Sequence, residues 1–455
     1  METAAPGRAS LAYEVALAVA VAVAFADSAI VVLALPELYA ELETSISGLH
    51  WVITAYNAAV VVGAAALFPL LRRVRPGVLA LLGIAVFLAA SIACALAGDL
   101  GTLVGGRIAQ GLGAALLLAA SLPVLAALSG ARDRAVAVWV AAGTLGTAVG
   151  PALGGVLTKA FDWRAIFIVQ APLAAAALPA ALHPRVRAAL PVLRERLRVP
   201  LGAALGLLLV SAALVGALFL AVLLVVTVWD YGPLAGAGMV SALPLAALAV
   251  RPLALRLPGP VDVAGGSLLL AAGLLALALL PASSPAYAVP ALALAGAGLG
   301  LALSPFARAA LPEHGELTGS AVFSVGVRHA GLVLGLVAVA PLLTAELEDA
   351  VDTATLNATA VILDARLPLQ QKVPIALDLN REFQRAPEGE VPDLAGPFDE
   401  RGADDDEAVR TARDDLRESV EAVLTRAFRS SFVLSAIFAL LAAATAVAFH
   451  GRRRA

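Results

Sequence analysis

The chain is poor in the residues that carry most soluble chemistry. Its 455 residues include one cysteine (Cys94), two lysines (Lys159 and Lys372) and five histidines, and only 14% are charged. A single cysteine excludes a disulfide framework and a cysteine-ligated metal site. No Gly-x-x-x-x-Gly-Lys-Ser/Thr loop is present, so nothing points to ATP hydrolysis. The "GAGLG" at 296–300 lies inside an apolar run, with no strand before it and no acidic residue after it. It reads as helix packing rather than a nucleotide loop. There is no His-Glu-x-x-His and no Ser/His/Asp set. No basic, aromatic-interleaved stripe suggests nucleic acid. The expectation is a protein that is not an enzyme, with no cofactor and no metal.

What the chain has instead is apolar length. It is 61% hydrophobic with a mean hydropathy of +0.91, against about 45–50% apolar residues in soluble proteins. Twelve apolar segments lie near 11–35, 49–71, 77–98, 101–128, 133–160, 163–182, 201–229, 235–256, 262–281, 286–307, 316–344 and 429–449. Each is long enough to span a bilayer core. The first is too long for a signal-peptide core and is read as a retained span. A soluble helical core would require polar outer faces, which these segments lack. The fold class expected is an all-α polytopic membrane protein. Arginine in place of lysine, with an Ala/Leu/Val/Gly bias, suggests a GC-rich bacterial source and hence a bacterial inner membrane.

Charge asymmetry sets the orientation. With the N-terminus inside, the inner ends hold seventeen basic residues, among them "RRVR" (72–75), "RDR" (132–134) and the terminal "RRR" (452–454). The short outer loops hold Lys159 and Arg164. Both termini are therefore expected in the cytoplasm. The basic linker 184–200 divides a six-helix half (1–183) from helices seven to eleven (201–344). Residues 345–428 carry twenty acidic and nine basic side chains and are expected outside, as an insert before helix twelve and its basic tail (429–455). In the insert Val409, Leu416, Val420, Val423 and Leu424 recur at helical spacing, which predicts an amphipathic helix leading into the last span.

Several segments resemble the major facilitator superfamily, in particular its drug:proton antiporters of fourteen-helix type. "DSAIVVLALPEL" (27–38) is similar to that family's first-helix motif, and "WVITAYNAAVVVGAAALFPLL" (51–71) to its second helix. "GGRIAQGLGAAL" (105–116) matches the fourth-helix motif with Arg, Gln and Gly. "GTLGTAVGPALGG" (143–155) matches the fifth-helix antiporter motif and is the most specific signal. "FDWRAIFIVQAPLA" (161–174), "YGPLAGAGMVSALPLA" (231–246) and "GSAVFSVGVRHAGLVLGLVA" (319–338) extend the likeness over nearly the whole membrane part. Three departures stand out. The loop after helix two reads "FPLLRRVRPG", with Arg72 where the family usually has aspartate. Two central helices of the fourteen-helix type are missing. The outer insert is long. The resemblance implies two six-helix bundles, alternating access and proton-driven export of hydrophobic or amphipathic compounds.

Charges at membrane depth are costly, so each is informative. Asp27 and Arg107 both fall about 9–14 Å below the outer surface at roughly 1.5 Å per residue, which makes an ion pair between them plausible. The resemblance implies proton coupling or substrate binding there. The alternative is a structural pair locking helices one and four. Arg328 and His329 fall near mid-membrane, and about 100° apart on the helix, so one of them is expected to face a cavity. His329 is a candidate second protonation site and Arg328 a candidate substrate contact. Tyr56, Asn57 and Gln110 are cavity candidates by resemblance. Glu14 is expected to snorkel to the inner interface, and Trp51 to anchor at the outer one. Gly143, Gly146, Gly150 and Gly154 share one helix face, beside Pro151 and Gly155. The resemblance implies that this seam packs between the two halves.

A mostly apolar cavity with few polar handles favours lipophilic cargo over sugars or small anions. The leading expectation is a proton-coupled exporter of hydrophobic or amphipathic compounds, energised by the proton gradient. A lipid or glycolipid exporter of the same fold is the alternative. A non-transporting scaffold or sensor, using 345–428 to hold an extracytoplasmic protein partner, is the rival from another class.

Overall fold

The computed structural model describes residues 8–42, 44, 46–70, 73–189, 200–254, 259–311, 317–385, 396–399 and 406–451. The expectations on Arg72, on linker residues 190–199, on Glu316 and on the terminal arginines lie outside the described residues. Every regular element among the described residues is helical. In lipid an apolar segment must satisfy its backbone internally, and a helix does so without a partner.

Six long helices form the first half: α1 (Arg8–Ile30), α2 (Ile46–Leu67), α3 (Pro76–Ala95), α4 (Leu100–Ser129), α5 (Arg132–Ala160) and α6 (Arg164–Ala175), with shorter helical pieces between them. The second half begins with α7 (Leu201–Val222), which winds on into a π-helical turn, Leu223–Val228. Next comes α8, in two pieces, Pro233–Val240 and Ala242–Ala249. Pro244 has no N–H to give the Val240 carbonyl, so the ladder breaks there. Then follow α9 (Gly259–Ala278), α10 (Pro285–Ala309) and α11 (Leu317–Asp364). Two further long helices, α12 (Leu369–Arg385) and α13 (Glu407–Ala427), precede the last span, α14 (Arg429–Gly451). Eleven helical segments are long and apolar enough to cross a membrane, and Val263–Ala278 of α9 is a shorter apolar helix.

Local chemistry sets several boundaries. Asp99 caps α4, accepting from Thr102 N at 2.8 Å and from Thr102 Oγ1 at 2.7 Å. Gly130 ends the same helix at φ 67°, a left-handed turn that glycine adopts without steric cost. Proline stands in the first turn of α3 and of α10, where its missing N–H costs nothing.

Close helix approaches repeat between the halves. A Cβ on Gly146 or Gly154 of α5 would strike the carbonyl oxygen of Ala22 or Ile30 in α1. A Cβ on Gly331 or Gly335 of α11 would strike that of Leu208 or Ala212 in α7. The same holds for Gly111 of α4 against Tyr56 in α2, and for Gly296 and Gly300 of α10 against Leu243 and Ala247 in α8. Moving six helices along the chain reproduces each contact, the mark of a parallel repeat. Small residues let backbones meet where lipid gives no hydrophobic drive.

No helix end falls at residue 344, where the insert was expected to begin. Helix α11 runs on to Asp364 without interruption. Leu347, Ala350, Ala354, Ala358 and Ile362 on its extension are buried, as are Val409, Ala412, Leu416, Val420 and Val423 on α13. The extension and α13 pack side by side. The amphipathic helix expected at the end of the insert is α13, joined to α14 through Phe428 alone. Trp229 Nε1 donates to Thr425 Oγ1 at 2.9 Å, and Arg417 reaches Asp230 at 3.4 Å, tying α13 to the end of span seven. Glu14 also departs from expectation. It does not snorkel: it is 2% exposed and pairs with Arg134 of α5 at 2.9 Å, leaving its Oε1 buried without a partner.

Candidate functional site

Six fully or nearly fully buried polar side chains from α1, α3, α4 and α6 form one connected network. Arg107 of α4 sits at its centre. Its Nη1 donates to Asp27 Oδ2 at 2.6 Å and to Gln110 Oε1 at 2.7 Å. Its Nη2 donates to the Asp27 carbonyl at 3.0 Å, and its Nε to the Val52 carbonyl of α2 at 3.0 Å. Gln170 of α6 donates to Asp27 Oδ1 at 2.7 Å and accepts from Gln110 Nε2 at 2.7 Å. Gln110 Nε2 also reaches Ser91 Oγ of α3 at 2.9 Å, and Cys94 Sγ lies 3.8 Å from Gln110 Oε1. Both Asp27 carboxylate oxygens are thereby occupied. An ion pair taken fully out of water survives only when its remaining valences are met in this way.

Tyr56 packs its ring on this network, with the Arg107 guanidinium 4.4 Å from the ring centroid. Its hydroxyl donates to the Ala24 carbonyl at 2.6 Å. Asn57, buried beside it, donates to the Ile53 carbonyl at 2.8 Å and keeps Oδ1 without a partner. Trp51 is half exposed.

The second cluster lies where α11 meets α1 and α5. Both members of the Arg328–His329 pair are buried, and of the two it is Arg328 that lines a cleft. His329 Nδ1 lies 2.8 Å from the Val325 carbonyl, which can only accept. Nδ1 therefore carries a hydrogen, and Nε2 lies 3.4 Å from Ser28 Oγ of α1. Arg328 turns toward α5. Its Nη2 donates to Thr147 Oγ1 and lies 3.5 Å from the Gly143 carbonyl, with its guanidinium 4.4 Å above the Phe25 ring. A cleft beside it is lined by Phe25, Trp139, Val140, Ala307 and Ser324.

The glycine face of α5 packs differently from the expected seam. Gly146, Gly150 and Gly154 meet Ala22, Ala26 and Ile30 of α1, inside the first half, and Gly143 meets Phe25 of the same helix. A Cβ on Gly150 would lie 2.9 Å from the Ala26 carbonyl oxygen. The surface of α5 turned to the other half is a neighbouring one. There Thr144 Oγ1 meets Ser304 Oγ of α10 at 2.9 Å. Gly155 approaches Ala237 of α8, where a Cβ would come within 2.8 Å of the Ala237 Cβ. Thr147, Ala148 and Pro151 line a second cleft with Leu218, Leu243 and Leu299. The small-residue stripe revealed a close approach but not which helix makes it.

At the end of the bundle where α5 turns into α6, Arg164 pairs with Glu41 at 2.7 Å, and Trp163 Nε1 donates to Glu41 Oε2 at 2.6 Å. The Arg164 hydrogen bond is the main reason the Glu41 carboxyl is held below the usual glutamate range. Glu37 nearby is pushed up by burial. Among the described residues no group of three His, Cys, Asp or Glu side chains is placed to hold a metal ion.

Gln170, Ser91 and Thr147 were not singled out from sequence. The available signal was weak: uncharged polar residues inside apolar runs, of which the chain has many.

The profile of the Major Facilitator Superfamily matches residues 17–340. The multidrug resistance protein Stp of Mycobacterium tuberculosis is 39% identical over 160 residues, covering 34% of this chain and 29% of that protein. The methylenomycin A resistance protein of Streptomyces coelicolor is 31% identical over 239 residues, covering 52% of this chain and 49% of that protein. The chain thus spans between about a third and a half of the length of these relatives. Among solved structures, a bacterial homolog of the human lysosomal transporter Spinster, inward-facing and occupied, aligns with a TM-score of 0.62 at 16% identity. That alignment covers 98% of this chain and 97% of the other, and it speaks to the fold alone.

Proposed function

The chain belongs to the Major Facilitator Superfamily, and on that premise we propose that it is a proton-coupled exporter of hydrophobic or amphipathic compounds, working by alternating access. The observation that carries this reading is the buried Asp27–Arg107 pair at 2.6 Å, wired through Gln110 and Gln170. Asp27 is the proton carrier. In the paired state Arg107 occupies its carboxylate, and when substrate or the rocking of the halves draws Arg107 away, the carboxylate is freed to take up a proton. Arg328 and His329 sit across from this network on α11 and touch α1 and α5, so a tilt of the second half acts on both. The names of the relatives, multidrug and methylenomycin A resistance proteins, support an export direction. Both termini lie in the cytoplasm of a bacterial inner membrane, and the insert faces outward, which the arginine asymmetry supports. The energy source is the proton gradient and no cofactor is needed.

The test is proton flux in proteoliposomes against a panel of lipophilic compounds. Substrate-dependent pH change in the lumen, absent in Asp27→Asn, is the expected result. No pH change with any compound would refute the reading. The insert favours a second reading, export of a lipid or glycolipid. Leu356, Leu363, Leu369, Val373 and Leu377 are apolar and exposed on α11 and α12, a surface suited to an apolar cargo or to an extracytoplasmic partner. Labelled-lipid movement without drug movement would favour it.

A further inference from the structure

Arg328 differs from the other arginines built into the bundle. Arg107 holds Asp27, Arg134 holds Glu14 and Arg164 holds Glu41. Arg328 is 5% exposed, yet its partners are a hydroxyl, a carbonyl and an aromatic face. No carboxylate among the described residues pairs with it. Asp27 is near in sequence to Phe25 but its carboxylate is turned to α4 and α6, where Arg107 and Gln170 occupy both oxygens. The facing groups are Thr147, Trp139 and Gly143 of α5, Phe25 of α1, and Ala307 of α10 with Ser324 of its own helix. All of them are uncharged. Asp27 and Arg107 neutralise each other inside the first half, and among the described residues Arg328 stays at the contact between the halves as a buried positive charge without a carboxylate partner.

A buried cation without a counter-charge is unfavourable, and this one borders a cleft. Thr147, its hydrogen-bond acceptor, also lines the second, more apolar cleft with Leu218 and Leu299. The two clefts therefore adjoin, one offering a cation and the other an oily wall, and both are built from the two halves together. We infer that the substrate of this site is a monoanionic amphiphile, its charged group on Arg328 and its apolar body against Phe25, Trp139 and the leucine-lined cleft. This rests on the exporter reading and specifies its cargo. A cationic compound would meet a like charge in a low-dielectric site, and a neutral one would leave the guanidinium uncompensated. Export of an anion against an entering proton moves charge in the same sense on both legs, so transport responds to membrane potential as well as to the pH gradient.

The experiment uses the full chain in phosphatidylcholine vesicles under an imposed pH gradient. The probes are one fluorescent dodecyl chain ending in a carboxylate, a primary amide or an amine, with labelled phosphatidylglycerol as a fourth arm. The carboxylate is expected to move at least about tenfold faster than the amide or amine. Arg328→Lys keeps that preference and Arg328→Gln loses it. Movement of phosphatidylglycerol as well identifies membrane lipid as a source of the anion, and its exclusion identifies a free amphiphile; either supports the charge assignment. Amide or amine moving as fast as the carboxylate in the unmodified protein, with proton flux, overturns the assignment and leaves the exporter reading intact. A carboxylate preference that survives in Arg328→Gln overturns it too. No movement of any probe and no proton flux overturns both.

Discussion

Asp27→Asn separates a proton carrier from a structural clasp. The substitution keeps the shape of the side chain but places an amide where Asp27 accepts from Arg107 at 2.6 Å and from Gln170 at 2.7 Å. One amide oxygen can satisfy one of those donors, and the amide nitrogen then faces the other. Arg107, 0% exposed, is left as a buried cation without a counter-charge. Breaking a buried pair in this way costs about 3–5 kcal/mol, so thermal unfolding in detergent is expected at a clearly lower temperature. Proton flux is expected to vanish. Stability and flux then part company in the double variant Asp27→Asn/Arg107→Met. Removing both charges and filling the volume with an apolar chain relieves the buried cation, and most of the lost stability returns. Flux does not, because no carboxylate remains. Proton-driven transport at the full rate in Asp27→Asn would refute the carrier role. Recovery of both stability and flux in the double variant would show that the pair is only a clasp.

Other expectations follow from the same coordinates. Gly150→Leu and Gly154→Leu push side-chain atoms into the α1 backbone; overpacking of this kind costs about 1–3 kcal/mol, and transport in vesicles should be blocked while membrane insertion persists. Normal flux would remove the α1–α5 contact from the mechanism. Arg134→Gln leaves Glu14 buried and unpaired, whereas Glu14→Gln leaves Arg134, with 42% of its side chain exposed, free to reach solvent. The first should cost up to about 3 kcal/mol and the second about 1 kcal/mol or less, an order that paired unfolding curves would check. Because Arg164 and Trp163 depress the Glu41 carboxyl, its contribution is complete above the ordinary glutamate value and is lost as pH falls through the depressed one. Glu41→Gln should flatten that acid limb in a pH series of melting temperatures. Leu356→Cys, at an exposed insert position, should react with a membrane-impermeant maleimide in intact cells, with native Cys94 silent because it is buried. Labelling only after lysis would reverse the orientation.

The Asp27–Arg107 pair was legible because two opposite charges in apolar runs at matching depth have few ways to avoid each other. Gln170, Ser91 and Thr147 were not. A buried amide or hydroxyl costs little enough to occur on any helix, and its partner depends on helix rotation, which hydropathy does not encode. The glycine face of α5 shows the same limit: its spacing specifies a smooth stripe, and only packing reveals that α1 fills it. The continuation of the helix past residue 344 was hidden for a different reason. Hydropathy falls there because the chain leaves the apolar layer, while helix formation continues through "LEDAVDTATLNATAVILD" on small and apolar residues braced by α13. Glu14 was misplaced because its partner, Arg134, is remote in sequence and reads as one of the inner-loop positive charges.

The unbroken helix from Leu317 to Asp364 is also a mechanical arm. From Arg328 to Ile362 it measures about 50 Å at 1.5 Å per residue, and α13 splints its outer part. A tilt of about 10° at the membrane centre would sweep the tip through roughly 9 Å over that length. The lever also works in reverse. A modest force on the insert exerts a large torque on the helix that carries Arg328 and His329.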